Sequence, residues 1–352
     1  MEDAATMMAV VKTRAGRGYD YVRVPRPEPR PDEVLLRIER AAICGTDVLV
    51  YKWDPLAQEL IQGLPFIPGH ECSAQVVDVG ADIAGISVGA RVCAETHIPC
   101  GTCYQCTHGL QHICRNLVLF GHRVDGCFAE CAAIPARSVY PLRMGLRPEL
   151  ACLLEPFGVS LRGVQEVAPE GDTLLVNGSG PIGLFAIAIA RHAGAKKILA
   201  AELHPLRLSL ARAMGAEVAI DLNEVDLRQA VLTETEGDGA GCIIEASGAA
   251  GAVATCLGCL RKGGRIVVLG NPKGPVEIRD VMPDLMHKEL TLKTLHGRRM
   301  YGTWEHAEAL LASGATDISP VITHTFPMSR VDEAMETILQ GEACKVELEP
   351  GR

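Results

Sequence analysis

Residues 173–194, TLLVNGSGPIGLFAIAIARHAG, decide the fold of this chain. A short apolar run ends in glycines and passes straight into a longer apolar run with helix-forming residues. Gly178, Gly180 and Gly183 fit G-x-G-x-x-G, with Pro181 and Ile182 completing the loop. In a strand–turn–helix context such glycines let backbone approach a dinucleotide pyrophosphate at a helix N-terminus. The same rhythm continues outward. KKILAAE (196–202) precedes PLRLSLARAMG (205–215), and GCIIEASG (241–248) precedes AAGAVATCLGCLRKGG (249–264) and RIVVLG (265–270). Continuously apolar strands alternating with helices predict a doubly wound parallel sheet of the α/β class. An acid should close the second strand about 20 residues past the loop, and Glu202 stands there. A carboxylate there binds a ribose 2′-hydroxyl and repels a 2′-phosphate, which favours NAD over NADP. Arg207 lies nearby and is able to serve a phosphate.

Upstream the pattern differs. MMAVVKT, EVLLRIERAAI, CSAQVVDV and FAECAAIP are short branched-apolar runs punctuated by Pro and Gly, so residues before about 160 read as β-rich. Near residue 295 the α/β alternation stops, and the tail is expected to rejoin the first region. The expected domains are 1–160 with 296–352, and 161–295. At 352 residues the chain is long enough for both. A net charge of −9 argues against nucleic acid or anionic membrane as a partner. The opening MEDAATMMAVVKTRAG lacks the apolar core of a secretory signal. No apolar stretch spans a bilayer. The expectation is a soluble, cytoplasmic protein.

Fourteen cysteines are many for a reducing compartment. Most stand singly in apolar segments and read as small core residues. Cys100, Cys103 and Cys106 follow C-x-x-C-x-x-C spacing, and Cys114 follows after a short loop. Four thiolates converging on one ion predict a closed structural zinc site. A second, weaker set is Cys44 in AAICGTD, His70 and Glu71 in IPGHE, and Glu155 in LLEPFG. Each alone is more often core than ligand. Together a thiolate, an imidazole and carboxylates suit a zinc that keeps a place for an alcohol. Such a zinc lowers the pKa of a hydroxyl, and Thr46, two residues after Cys44, is a plausible first proton acceptor.

These features, in this order, resemble the zinc-containing medium-chain alcohol dehydrogenases over essentially the whole chain. Within them the likeness is to the L-threonine 3-dehydrogenases, on the sorbitol and polyol dehydrogenase-like side. ICGTDVLVYKWD, FIPGHE, ETHIPCGTCYQC, DGCFAE, LEPFG, NGSGPIGL, HGRRMYGTW and DISPVITHTFP carry it. The resemblance implies a GroES-like β-rich catalytic domain and a Rossmann cofactor domain. It implies two Zn2+ per chain, one catalytic on Cys44, His70 and Glu71 with Glu155 as an exchangeable ligand, and one structural on the four cysteines. It implies that Glu202 and Arg207 bind the adenosine ribose of NAD. Arg298 would reach the cofactor in a homotetramer, and His97 would lie beside the substrate. The chain departs from the family at Leu49, where a relay histidine is usual, at Ala74, and at Phe157.

The leading expectation is NAD-dependent oxidation of a secondary alcohol, L-threonine or a related β-hydroxy amino compound. The alternative within the same chemistry is a polyol, sugar-alcohol or amino-cyclitol dehydrogenase. A zinc-ribbon nucleic-acid binder and a degenerate NAD-binding relative are the readings from other classes. Val48, Leu49, Trp53, His97 and Phe157 are expected to shape the substrate pocket.

Overall fold

The structure, a computed structural model, describes residues 5–278 and 280–351. Residues 1–4, part of the stretch read for a secretory signal, lie outside the described residues. The chain divides into two compact units. The first comprises Met1–Glu155, Arg299–Ala312 and Ile322–Arg352, the second Pro156–Arg298 and Ser313–Val321.

In the second unit, strand Thr173–Asn177 turns through the glycine loop into helix Pro181–His192. Six strands run parallel in the order Val218–Asp221, Lys197–Glu202, Thr173–Asn177, Ala240–Glu245, Leu260–Val268 and Thr291–Thr294. In chain order that is 3-2-1-4-5-6, so the order reverses between Thr173–Asn177 and Ala240–Glu245. Ligands of open α/β sheets bind at the carboxyl ends of the strands beside such a reversal. Every residue of the central strand Ala240–Glu245 is buried, whereas every residue of the edge strand Thr291–Thr294 is exposed.

The first unit is built on a seven-stranded sheet. Its path runs Ile322–Pro327, Lys345–Glu349, Glu33–Ala42, Glu71–Val79, Arg91–Ala94, Val139–Pro141, and Cys131–Pro135 also pairs with Glu33–Ala42. Val34, Leu36 and Ile38 of the central strand bury their side chains in a core with Val76, Val92 and Ile134. The tail does rejoin this unit: Glu347 pairs with Ala42, antiparallel, and Ala42 pairs on its other side with Glu71.

The expected boundaries shift. The break at 160/161 falls between Glu155 and Pro156, and the return at 295/296 falls between Arg298 and Arg299. Residues 313–321 belong to the second unit, because the turn Ser319–Val321 lies against helix Pro205–Ala213. Strands Val218–Asp221 and Thr291–Thr294 and helix Leu227–Glu234 are additional to the sequence reading. Val218–Asp221 has only three apolar residues before Asp221, and Thr291–Thr294 is mostly polar, so neither forms a long apolar run. The helix did have a start signal: the Asp226 carboxylate accepts from the Gln229 amide at 2.9 Å. No helix among the described residues is long and apolar enough to cross a membrane.

Candidate active site and its metal ligands

Cys44 stands at the N-cap of helix Gly45–Lys52. The helix start is fixed by Asp47, whose Oδ2 accepts the Cys44 amide at 2.8 Å. The other oxygen, Oδ1, faces His70 Nδ1 at 3.7 Å, and both residues are buried. This leaves the far nitrogen of His70 to bind a metal, with a carboxylate behind the ring. Glu71 follows at the start of strand Glu71–Val79. Cys44, His70 and Glu71 each offer a ligand atom within 4.8 Å of the others. Zinc bonds of ~2.0–2.3 Å need ligand atoms roughly 3.3–3.8 Å apart in a tetrahedron. The set therefore fits zinc after a small closure, and it leaves a fourth position open.

Glu71 has a partner that no spacing predicts. Lys345 from the last strand forms an ion pair with its Oε2 and donates to the Ile43 carbonyl at 2.8 Å. Both side chains are at most 2% exposed. Burial opposes the Lys345 charge, but Glu71 and then Cys44 overcome it and hold the pKa above the ordinary lysine value. Removing one partner of a buried pair leaves the other charge uncompensated. Lys345→Met is expected to destabilise the first unit by about 3–5 kcal/mol, read as a lower urea midpoint against the wild type.

Glu155 opens helix Leu154–Val167 but stands outside the three-ligand group; its Oε1 accepts the Thr96 hydroxyl at 2.6 Å. The next residue, His97, is fixed by a carboxylate the sequence reading passed over. Glu95 Oε1 accepts the His97 amide at 2.9 Å and meets His97 Nδ1 at 2.6 Å. Glu95 Oε2 accepts the indole N–H of Trp304 at 2.6 Å. Trp304 belongs to HGRRMYGTW and is fully buried. The Thr46 hydroxyl oxygen is shielded from solvent and has no hydrogen-bond partner among the described residues. Leu49 lies one turn along the same helix, partly buried against the core. His122 is a further addition. It is buried, and its ring lies 4.8 Å from that of His70. Burial, and after it His70, pushes the His122 pKa down to about 3.

Trp53 has its ring 5.4 Å from the Lys12 ammonium. Phe157 is fully buried in the second unit, edge-on to Phe185 at 5.8 Å, so it is core there. A separate cleft of about 640 Å³ is lined by Arg26, Phe66, Asp125 and Cys131 and touches none of the metal ligands.

The four-cysteine lobe is closed. Sγ–Sγ separations are 3.5 Å for Cys103–Cys106, 3.6 Å for Cys103–Cys114 and 3.5 Å for Cys100–Cys114. Disulfides need about 2.05 Å, whereas a tetrahedral Zn–S4 site needs roughly 3.8 Å between sulfurs. Amides of Cys100 and Asn116 donate to Cys114 Sγ at 3.3 Å. Backbone N–H from Thr102 draws the Cys100 pKa down to about 5, while burial and then Cys103 push Cys106 up to about 12. Four sulfurs this close, without a disulfide among them, match the ligand set of a tetrahedral metal site.

The nucleotide loop has one open glycine and two closed ones. A Cβ on Gly178 would fall 2.7 Å from Ser247 Cα, and one on Gly183 would fall 1.9 Å from the Gly178 carbonyl oxygen. At Gly180 a Cβ would meet nothing within 4 Å, so the space beside the N-cap of helix Pro181–His192 is clear for a phosphate. Glu202 ends its strand with Oε2 accepting the Ser179 amide at 3.0 Å and Oε1 accepting the Leu203 amide at 2.8 Å. Arg207 lies 3.9 Å from Glu202 Oε2. Arg298 is fully buried.

A thiolate–imidazole–carboxylate site with an open fourth position, a closed thiolate lobe, and a glycine loop on a 3-2-1-4-5-6 sheet together define a zinc-containing dehydrogenase. Residues 181–313 match the zinc-binding dehydrogenase family and residues 30–144 the alcohol dehydrogenase GroES-like domain. The L-threonine 3-dehydrogenase of Bacillus subtilis (strain 168) is 38% identical over 344 residues, 98% of this chain and 99% of the relative. Two solved structures superpose at a TM-score of 0.89. A short chain alcohol dehydrogenase from E. coli CFT073, complexed with NADH, is 26% identical over 98% of this chain and 100% of its own. A zinc-binding dehydrogenase from Sinorhizobium meliloti 1021, bound to NADP, is 29% identical over 98% and 99%. The chain belongs to the zinc-containing medium-chain alcohol dehydrogenases, on the L-threonine 3-dehydrogenase-like branch, and is an alcohol oxidoreductase.

Proposed function

We propose that this enzyme carries two zinc ions per chain and oxidises L-threonine, or a related β-hydroxy amino compound, with NAD. The observation that carries the reading is the convergence of Cys44, His70 and Glu71 beside a buried, unpartnered Thr46 hydroxyl. When bound there, zinc supplies the Lewis acidity that lowers the pKa of an alcohol. Thr46 takes up or passes on the released proton at Oγ1. Asp47 holds the His70 ring, Lys345 balances the Glu71 charge, and Thr96 holds Glu155 at the edge of the site. NAD is favoured over NADP because Glu202 presents a carboxylate where a 2′-phosphate would sit. Arg207, close to Glu202, has its charge already balanced.

The test is a substrate panel with NAD and NADP on zinc-replete protein: threonine, serine, sorbitol and amino-cyclitols. Turnover of vicinal amino alcohols with NAD is expected; a profile confined to polyols, or a preference for NADP, would overturn the proposal. Leu49 carries no proton, so the route along the helix is closed. Leu49→His is expected to raise kcat near neutral pH, towards the ~100-fold that positioned proton transfer supplies. An unaltered pH–rate profile in that variant would show that the proton leaves another way.

The proposal extends to assembly as a homotetramer. The edge strand Thr291–Thr294 is exposed throughout, and Met282 and Met286 just before it are 51% and 61% exposed. Unpaired strand edges of this kind invite pairing with another chain. Light scattering reads the assembly, and a monomer would overturn it.

A further inference from the structure

The turn 119–126, Leu-Phe-Gly-His-Arg-Val-Asp-Gly, is clamped against the metal-binding loop. A Cβ on Gly121 or on Gly126 would fall 2.2 or 2.0 Å from the Gly69 carbonyl oxygen, so only glycine allows this approach. Asp125 Oδ1 accepts the Ile67 amide at 2.9 Å, and the Gly126 and Cys127 amides donate to Ile67 and Gly69 at 2.7 and 2.9 Å. On the other side the Phe120 amide donates to Thr96 at 2.9 Å, and Thr96 holds Glu155. His122 at the tip is thereby held with its ring 4.8 Å from His70, tilted by 40°. Its Nδ1 lies 3.3 Å from the Phe120 carbonyl oxygen. A carbonyl only accepts, so Nδ1 carries the hydrogen and Nε2 is a bare acceptor. No donor among the described residues reaches Nε2. Nε2 is not among the solvent-shielded polar atoms, so it opens onto space that a donor from a small molecule can enter. A plain alcohol spends its one hydroxyl at the metal and brings no second donor.

We infer that His122 is a specificity-determining residue whose Nε2 accepts a hydrogen bond from a second polar group of the substrate, an ammonium or hydroxyl on the carbon beside the reacting carbinol. This inference rests on the proposed secondary-alcohol reaction. A site built around such a bond discriminates strongly against substrates that lack the donor. The experiment compares kcat/KM for L-threonine and for 2-butanol in wild type, His122→Leu and His122→Gln, with zinc content measured in each. The threonine-to-butanol ratio is expected to fall about 10- to 100-fold in His122→Leu. His122→Gln, which keeps an acceptor near the Nε2 position, is expected to recover part of it. An unchanged ratio, an equal fall for both alcohols, or a loss of zinc in both variants would overturn the inference. Failure of the wild type to oxidise any vicinal amino alcohol overturns instead the reading on which it rests.

Discussion

Cys106→Ser is expected to leave the chain short of one zinc and to turn residues 99–116 into a protease-sensitive segment. The lobe has almost no apolar core of its own. Cys103, Cys106 and Cys114 form its buried cluster, with only Cys100 and Leu117 packed against them. Tyr104 and Ile113, the large apolar side chains nearby, are 65% and 41% exposed. A zinc ion held by the four sulfurs would take the place of a hydrophobic core. Structural zinc contributes about 10–16 kcal/mol in small zinc domains, against a net stability of roughly 5–15 kcal/mol for whole proteins. Serine is a poor zinc ligand, so the lobe loses its organising centre rather than a fraction of its stability. Metal analysis and limited proteolysis check this. Wild-type zinc content with an uncut lobe would show that the four sulfurs do not hold a structural ion.

Thr46→Val is expected to lower kcat by about 100- to 10,000-fold, the range for a positioned proton-transfer group, while zinc content and the unfolding midpoint stay near wild type. The substitution keeps the side-chain shape and deletes one oxygen. That oxygen has no hydrogen-bond partner among the described residues. Its loss therefore breaks no bond, and apolar replacement of an unpaired polar atom is neutral or stabilising. Activity and stability should separate cleanly. Thr46→Ser, which restores the hydroxyl, should recover most of kcat. A fall in stability parallel to activity would mark Thr46 as structural.

The parts of the fold and site visible in the sequence are those held by local spacing. Gly178, Gly180 and Gly183 reveal a strand–loop–helix because their spacing is set by one turn of backbone. The cysteines at 100, 103, 106 and 114 reveal a lobe because all four ligands lie within one short segment. Cys44 and Thr46 are likewise two residues apart in one short segment. By contrast, Lys345 meets Glu71, Trp304 meets Glu95, and His122 meets His70 only after the sheet and loops have formed. No periodicity encodes those pairings. Phe157 shows the opposite failure: it neighbours Glu155 in sequence, yet its ring turns into the second unit's core beside Phe185. Sequence proximity fixes backbone position and leaves side-chain direction open.

The pairing of Lys345 also bears on how a newborn chain matures. Lys345 reaches Ile43 across 302 positions of sequence and enters the sheet on its last strand, Lys345–Glu349. A ribosome releases residues in order, and domains fold as they emerge. The greater part of the second unit, Pro156–Arg298, is available before this strand exists. Until residues 345–349 emerge, Glu71 lacks its Lys345 partner, and the sheet of the first unit lacks the strand that pairs with Ala41 and Ala42. The metal site is thus completed after the cofactor sheet has emerged, and a nascent chain stalled before Lys345 holds a cofactor fold without a balanced active site.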